Sequence, residues 1–189
     1  MGIEGLNVEA INSKVSRYWS VSVIEETTST QSDLVQQFKS GKVLVAEYQS
    51  AGRGRLDRKF IVPPRKGLTF SFCVEATNDF GWIPLLTGLA VAQGINSYLN
   101  SDLVKIKWPN DLLIDEKKLG GILSEKSETG VVVGVGINIF QTQTELPISD
   151  AISLTNAVRN MEIDRSELLS RILNRIGEVL ADLDKFKNE

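Results

Sequence analysis

The stretch from residue 104 to residue 139 constrains the fold most, because it packs strand-length apolar runs between connections too short to hold a helix. Alternation and turn signals predict strands at residues 104–107, 112–114, 121–124 and 131–139, with a strong turn at 108–111. Such short, hairpin-like connections join neighbouring antiparallel strands. The sequence therefore predicts a largely antiparallel sheet.

Earlier residues add strands and a short helix. Apolar runs predict strands at 19–24, 42–48 and 68–74, and Leu34, Val35 and Phe38 follow candidate caps at helical spacing, with Gly41 as the stop. Residues 1–15 carry no such pattern, so we expect them to be mobile or loosely packed.

Two longer helices complete the pattern. Pro84 opens the first, and the second begins at a cap supplied by Asp164 or Ser166. The first helix is predicted to bury Leu85, Leu86, Leu89, Ala92 and Ile95. The second is predicted to cover the sheet with Leu168, Leu169, Ile172, Leu173, Ile176, Val179, Leu180 and Leu183. We expect one α/β (α+β) domain over residues 1–189, with a mixed, largely antiparallel sheet flanked by helices.

Composition limits the chemistry. The chain has no histidine, one cysteine and a formal net charge of −3. These features exclude a histidine-based catalytic triad, and they disfavour structural zinc and general attraction to nucleic acid. Cys73 lies in an apolar run and is read as a buried strand residue. No signal peptide or membrane span is evident, so we expect a cytoplasmic protein. Separately, we expect no zinc, haem or flavin as a cofactor.

Four segments could carry chemistry, and each has an ordinary structural alternative. Residues 52–59 are rich in glycine and arginine, which suits an anion-binding loop or simply a solvated basic loop. Lys107, Asn110 and Asp111 could hold a Mg²⁺-nucleotide or form a plain turn. Lys118 could point into a cleft or face water from a hairpin. The glycines of 133–139 could admit a ligand or mark a bulge.

Together these segments resemble the catalytic domain of biotin–protein ligases over roughly residues 20–185. The segments that carry the resemblance are Ser29-Thr30-Gln31, AEYQSAGRGR from Ala46, KWPNDLLI from Lys107, KLGGIL from Lys118 and GVGINI from Gly134. The resemblance implies a fold like the class II aminoacyl-tRNA synthetase core, shared with lipoate ligases. It also implies ATP-dependent activation of biotin to biotinoyl-5′-AMP, and transfer of biotin to a lysine of a biotin carboxyl carrier protein.

The resemblance also implies roles for individual residues. The residues implied to bind biotin are Ser29, Thr30, Gln31, Gln49, Arg53, Gly54, Arg55 and Lys118. Those implied to bind ATP or the adenylate are Arg53, Arg55, Arg58, Phe60, Lys107, Asn110, Lys118 and Asn138. Arg55, Lys118 and Asp111 are expected to be catalytic, with Asn110 and Asp111 near Mg²⁺. Two positions depart from the family: Phe60 stands where a tryptophan is frequent, and Gln31 where asparagine is frequent.

The resemblance leaves alternatives open. Many family members carry a small C-terminal β-barrel, and we expect it to be absent here, along with an N-terminal helix-turn-helix domain. A non-catalytic biotin- or adenylate-binding module, or a lipoate or octanoate ligase of the same fold, remains an alternative function. A nucleic-acid-binding module fits least. Partners implied are biotin, ATP and the carrier domain, with no nucleic acid or membrane, and a homodimer is possible.

Overall fold

One seven-stranded sheet in the order β1-β2-β3-β7-β6-β5-β4 organises the chain. The computed structural model describes residues 2–56, 58–75, 81–127, 129–159 and 161–186, with side chains described through residue 181. The strands are β1 (Ser20–Thr27), β2 (Lys42–Gln49), β3 (Gly67–Glu75), β4 (Lys105–Lys107), β5 (Asp111–Ile114), β6 (Lys117–Lys126) and β7 (Gly130–Asn138). The helices are α1 (Val8–Lys14), α2 (Thr30–Gln36), α3 (Trp82–Leu99), α4 (Leu154–Ala157) and α5 (Arg165–Phe186).

The strand directions confirm the predicted mixed, largely antiparallel sheet. Among the seven strands of the described residues, β1 and β2 alone run parallel, and the helix α2 between them provides the crossover that a parallel pair needs. The other five pairs are antiparallel. The β5–β6 connection is Asp115-Glu116, and both residues have positive φ, as a type I′ hairpin turn requires.

The two faces of the sheet are covered differently, as the alternation along β3 illustrates. Phe70 and Phe72 point into the large core beneath α1, α3 and α5, whereas Cys73 belongs to a small cluster under α2 with Leu34. The predicted burial of Cys73 is confirmed. Because α2 is short, it covers only part of its face and leaves the rest of the sheet available for a ligand site.

The amino-terminal segment differs from its prediction. Residues 8–14 form helix α1, which Asn7 caps by accepting a hydrogen bond from the backbone N–H of Ala10. Ile11 is fully buried, and Asn12 bonds to both backbone groups of Val21. The expectation of a mobile or loosely packed start was therefore wrong, because these contacts are among those that fix the segment to the rest of the fold.

The buried side of α3 also differs from its prediction. Ala92 and Ile95 are buried as expected, but Leu89 is exposed and Leu85 and Leu86 are only half buried. Small residues and Ile83 occupy the buried side instead. Helix α3 is apolar on most sides, so the leucine spacing did not identify the face that packs against α5.

A buried ion pair connects α5 to the sheet. Arg165, at the start of α5, donates from Nη1 to Oε2 of Glu47 at 2.6 Å, and both side chains are at least 97% buried. Its Nη2 also donates to the carbonyl of Glu4, while Glu47 accepts from the backbone N–H of Leu6. The capping of α5 by Asp164 is confirmed. These bonds hold the helical layer and the amino-terminal segment in place behind the site.

Candidate active site

The floor of the site is a stretch of sheet made of small residues on the α2 face. Gly134 pairs with Ser71 and Gly136 pairs with Thr69 across β7 and β3. A Cβ at Gly136 would lie 2.4 Å from Cε1 of Phe60. Glycine is therefore required for this ring to rest directly on the strand, and β7 keeps a regular register, so the alternative of a bulge there was wrong.

A network of polar side chains, buried except for the half-buried Gln49, forms one end of the site. The backbone N–H of Thr30 donates to Oε1 of Gln49 at 2.8 Å, and the Thr30 hydroxyl lies 2.8 Å from that of Ser71. Ser71 donates to Oε1 of Gln31, and Nε2 of Gln31 donates to the carbonyl of Val132. These bonds fix the orientation of both glutamine amides, as recognition of a polar ligand head requires.

Ser29 positions this polar network through the start of α2. Its side chain caps the helix by accepting a hydrogen bond from the backbone N–H of Ser32. The extended backbone at Ser29 brings the following two residues over β3 and β7 as the helix begins. The helix ends at Gln36, and Gly41, expected as its stop, lies farther on with a φ of 77°.

Cationic side chains form the other end. The ammonium of Lys118 lies 2.6 Å from Oδ1 of Asp111, and both side chains are about one-third exposed. Nη1 of Arg55 donates to Oδ1 of Asn110, whose own amide donates to the carbonyl of Ile122. The amide of Asn110 is neutral, so this contact does not neutralise the positive charge of Arg55.

These two ends share one cavity of about 370 Å³. Of the residues predicted to bind or react, the cavity is lined by Ser29, Thr30, Gln31, Gln49, Arg53, Gly54, Arg55, Arg58, Phe60, Asn110, Asp111, Lys118 and Asn138. Lys107 is the exception, because it ends β4 with an exposed side chain and is not among the lining residues. The polar end and the cationic end are thus brought together from segments far apart in the chain.

Asn138 lines the cavity but also has a structural contact. Its Oδ1 accepts from Nε2 of Gln141 at 2.8 Å, and its amide donates to the carbonyl of Ile152. Asn138 therefore helps to order the segment that follows β7.

Some cavity residues were not predicted. Ser71 had a local signal, because Thr69, Ser71 and Cys73 alternate with large apolar residues along β3 and so mark a more polar face. Pro147, Ile148 and Ala151 also line the cavity. No local pattern indicates these three residues, which are placed by hydrogen bonds between the backbones of Lys118 and residues 150–152.

Glu145 and Cys73, which do not line the cavity, both have shifted pKa values. The ammonium of Lys66 and the backbone N–H of Thr142 lower the pKa of Glu145 to about 2. This ion pair fastens the segment after β7 to the start of β3. By contrast, burial raises the pKa of the Cys73 thiol, which disfavours its reactive thiolate.

Two further findings concern metal binding and membranes. Within the described ranges, no three His, Cys, Asp or Glu side chains gather closely enough to hold a metal ion. Among the helices of the described segments, none has the length and apolar character of a membrane span.

Comparison with known proteins places the chain in a family. Residues 21–139 match the model of the biotin/lipoate A/B protein ligase family. The biotin–[acetyl-CoA-carboxylase] ligase of Mycobacterium tuberculosis is 34% identical over 85% of this chain and 64% of its own length. The bifunctional ligase/repressor BirA of Escherichia coli is 33% identical over 88% of this chain and 53% of its own length. The chain thus spans between half and two thirds of these curated relatives.

A solved structure supports the same family. Biotin protein ligase from Aquifex aeolicus, determined in complex with biotin and ATP, superposes with a TM-score of 0.79 at 36% identity, covering 87% of this chain and 72% of that one. The family match over residues 21–139 includes the floor of the cavity, its polar end and its cationic end. This chain belongs to the biotin/lipoate A/B protein ligase family.

Proposed function

We propose that this chain is the catalytic domain of a biotin–protein ligase. The observation that carries the proposal is the single cavity in which a buried polar network faces a group of cations. A polar network of this kind suits the cyclic urea of biotin, and cations suit a carboxylate next to phosphate oxygens. The relatives named above are biotin ligases, which supports this substrate.

The proposed reaction has two steps. A carboxylate oxygen of biotin attacks the α-phosphorus of ATP, forming biotinoyl-5′-AMP and releasing pyrophosphate. The ε-amine of a lysine on a biotin carboxyl carrier protein then attacks the activated carbonyl, forms an amide, loses a proton and releases AMP. Both steps develop negative charge on oxygen, which fixed cationic donors stabilise.

Lys118 and Arg55 carry the charge stabilisation in this proposal. Lys118 is held by Asp111 at 2.6 Å, so its ammonium need not be ordered during the reaction. Arg55 brings a full positive charge from the loop of residues 52–60. Asp111 lies next to Lys118 and is our candidate for accepting the proton of the incoming lysine amine.

We assign the two ends of the bound ligand, the urea and the adenylate, from the residues that line each end of the cavity. Ser29, Thr30, Gln31 and Gln49 would bind the urea, while Arg53 and Gly54 lie where the loop meets the cavity. Arg58, Phe60 and Asn138 would contact the adenylate, and Lys107 is proposed to approach the phosphates from outside. Asn110 and Asp111 fit an ion that takes most of its ligands from phosphates and water, and Mg²⁺ would supply charge neutralisation there.

Two further proposals concern the setting of the protein. We propose a cytoplasmic location, because the reaction consumes ATP and acts on a carboxylase subunit. We also propose a homodimer formed through an outer strand, β1 or β4, because edge strands present unpaired backbone groups. Sedimentation velocity measures that state directly, and a monomer at all concentrations would reject it.

An acid-competition assay tests the function. The protein is mixed with Mg-ATP and equal amounts of biotin, lipoate and octanoate, quenched in acid and analysed by mass spectrometry. We expect biotinoyl-AMP and an equal amount of pyrophosphate. A lipoyl or octanoyl adenylate instead would favour the alternative of a lipoate or octanoate ligase. Biotin binding measured by calorimetry without any adenylate would favour a non-catalytic binding module.

A further inference from the structure

The loop over the cavity, residues 52–60, is an internally bonded hairpin in the part that the structure describes. The backbone N–H of Gly54 donates to the carbonyl of Arg58 at 2.7 Å, and that of Phe60 donates to Gly52 at 2.9 Å. Arg53 and Lys59 form an antiparallel bridge. We call residues 52–60 the basic loop. Because residues 52–54 are bonded to residues 58–60, a shift of one arm of the hairpin moves the other.

A bidentate ion pair between Arg53 and Glu125 attaches the first arm of the basic loop to the sheet. Nη2 of Arg53 lies 2.7 Å from Oε1 of Glu125, and Nη1 lies 3.2 Å from Oε2. Glu125 stands on β6, two residues beyond the cavity residue Leu123. Two parallel N–H···O bonds fix the direction as well as the distance of a guanidinium. This carboxylate therefore sets where the arm sits.

The position of the loop determines the position of two site residues. Phe60, at the end of the basic loop, rests on Gly136 of the cavity floor. Arg55, near its tip, reaches Asn110 across the cavity mouth. The Arg53–Glu125 pair is neutral overall, so the attraction for an anion comes from the other cations. Glu125 is not a cavity-lining residue, so its influence on a ligand is indirect.

We propose that Glu125 is a positioning residue of this site. Its carboxylate holds Arg53, and through the hairpin it keeps Arg55 and Phe60 over the cavity. In a ligase, this contact slows the opening through which the reactive adenylate would escape. That consequence rests on the proposed function, whereas the hold on the loop does not.

Hydrogen exchange of the unliganded protein tests directly whether Glu125 holds the basic loop in place. Replacing Glu125 by Gln keeps the shape and removes the charge, and the control Glu178→Gln breaks another 2.7 Å arginine–glutamate pair, on α5. Partly exposed ion pairs are worth little, so we expect amides of residues 52–60 to exchange roughly twofold to fivefold faster in Glu125→Gln. Exchange in α5 should not change in Glu125→Gln, and exchange of residues 52–60 in Glu178→Gln should match that of the wild type.

A double-mutant cycle identifies the partner. Once Arg53 is replaced by Gln, the further change Glu125→Gln should have no added effect on exchange in the loop. Glu125→Asp keeps the charge on a shorter side chain and should give an intermediate rate. Equal exchange in Glu125→Gln and wild type would overturn the proposal, and so would effects of the two substitutions that simply add.

A ligand-side measurement tests the consequence. Preformed biotinoyl-AMP should dissociate roughly twofold to fivefold faster from Glu125→Gln than from wild type or Glu178→Gln. The rate at which the bound adenylate forms should change much less, because Glu125 does not line the cavity. Equal dissociation rates would overturn this consequence. Because the exchange experiment uses no ligand, its result stands even if the chain proves not to make an adenylate.

Discussion

Replacing Gly136 by alanine tests whether the ring of Phe60 rests on the cavity floor. A Cβ at this position would lie 2.4 Å from Cε1, 2.7 Å from Cζ and 2.8 Å from Cδ1 of Phe60. Carbon atoms in favourable contact stay about 3.5–4.0 Å apart, so the ring must retreat by roughly 1 Å or more. The substitution should therefore displace the end of the basic loop without disturbing the pairing of β7.

Gly121 offers a matched control on the same floor. It pairs directly with Gly136, but a Cβ there meets its nearest neighbour, the carbonyl oxygen of Asn110, at 3.6 Å. Alanine in a position without strain stabilises by about 0.4–1 kcal/mol. Overpacking usually costs about 1–3 kcal/mol, and the loop position of Phe60 places Gly136→Ala near the lower end. We expect Gly136→Ala to be the less stable variant by about 1–2 kcal/mol.

Urea unfolding of the two variants and the wild type measures this difference. We expect the urea midpoint of Gly136→Ala to lie below those of the wild type and Gly121→Ala, at an unchanged m-value. We also expect Gly136→Ala to bind biotinoyl-AMP more weakly than the wild type does in calorimetry, because Phe60 is displaced. Equal midpoints for Gly136→Ala and Gly121→Ala, with equal affinity of Gly136→Ala and wild type for the adenylate, would refute the placement of the ring.

Three further predictions follow from the ion pairs. Lys118→Ala should slow single-turnover adenylate formation by about 100-fold or more while the fold survives, and an unchanged rate would reject its role. The bond from Lys66 lowers the pKa of Glu145 to about 2, so this carboxylate stabilises the fold above pH 4.5 and loses its effect as the pH falls toward 2. Glu145→Gln should accordingly flatten acid unfolding in that range, and a curve parallel to that of the wild type would contradict this. Arg165→Met leaves Glu47 buried without its partner and should cost about 3–5 kcal/mol in urea unfolding, whereas a loss below about 1 kcal/mol would count against the pair.

Local patterns predicted the sheet well. Strands β1, β2, β3 and β7 follow apolar runs or alternation, and the antiparallel pairing follows from connections such as Asp115-Glu116. Helix α1 escaped prediction, because its docking depends on Ile11 and on a contact between Asn12 and Val21. Such contacts leave no periodic trace in a short segment.

The sequence predicted only part of the site, because contacts between distant residues leave no local pattern. The resemblance supplied residues from five segments, and the sheet register then brought all but Lys107 to one cavity. The pairs that hold these residues could not be anticipated, because Arg53 and Glu125 lie 72 positions apart and Arg165 and Glu47 lie 118 apart. Charge alone does not select a partner among many carboxylates, and only the folded geometry does.

The mass of a carrier domain after reaction tests the central proposal most directly. The chain is incubated with biotin, Mg-ATP and a biotin carboxyl carrier domain, while a parallel sample receives an established biotin ligase. We predict that the carrier gains the mass of one biotinyl group on a lysine, and only when ATP is present. A carrier that stays unmodified here, while the established ligase modifies it in parallel, would contradict the assignment of this cavity to biotin transfer.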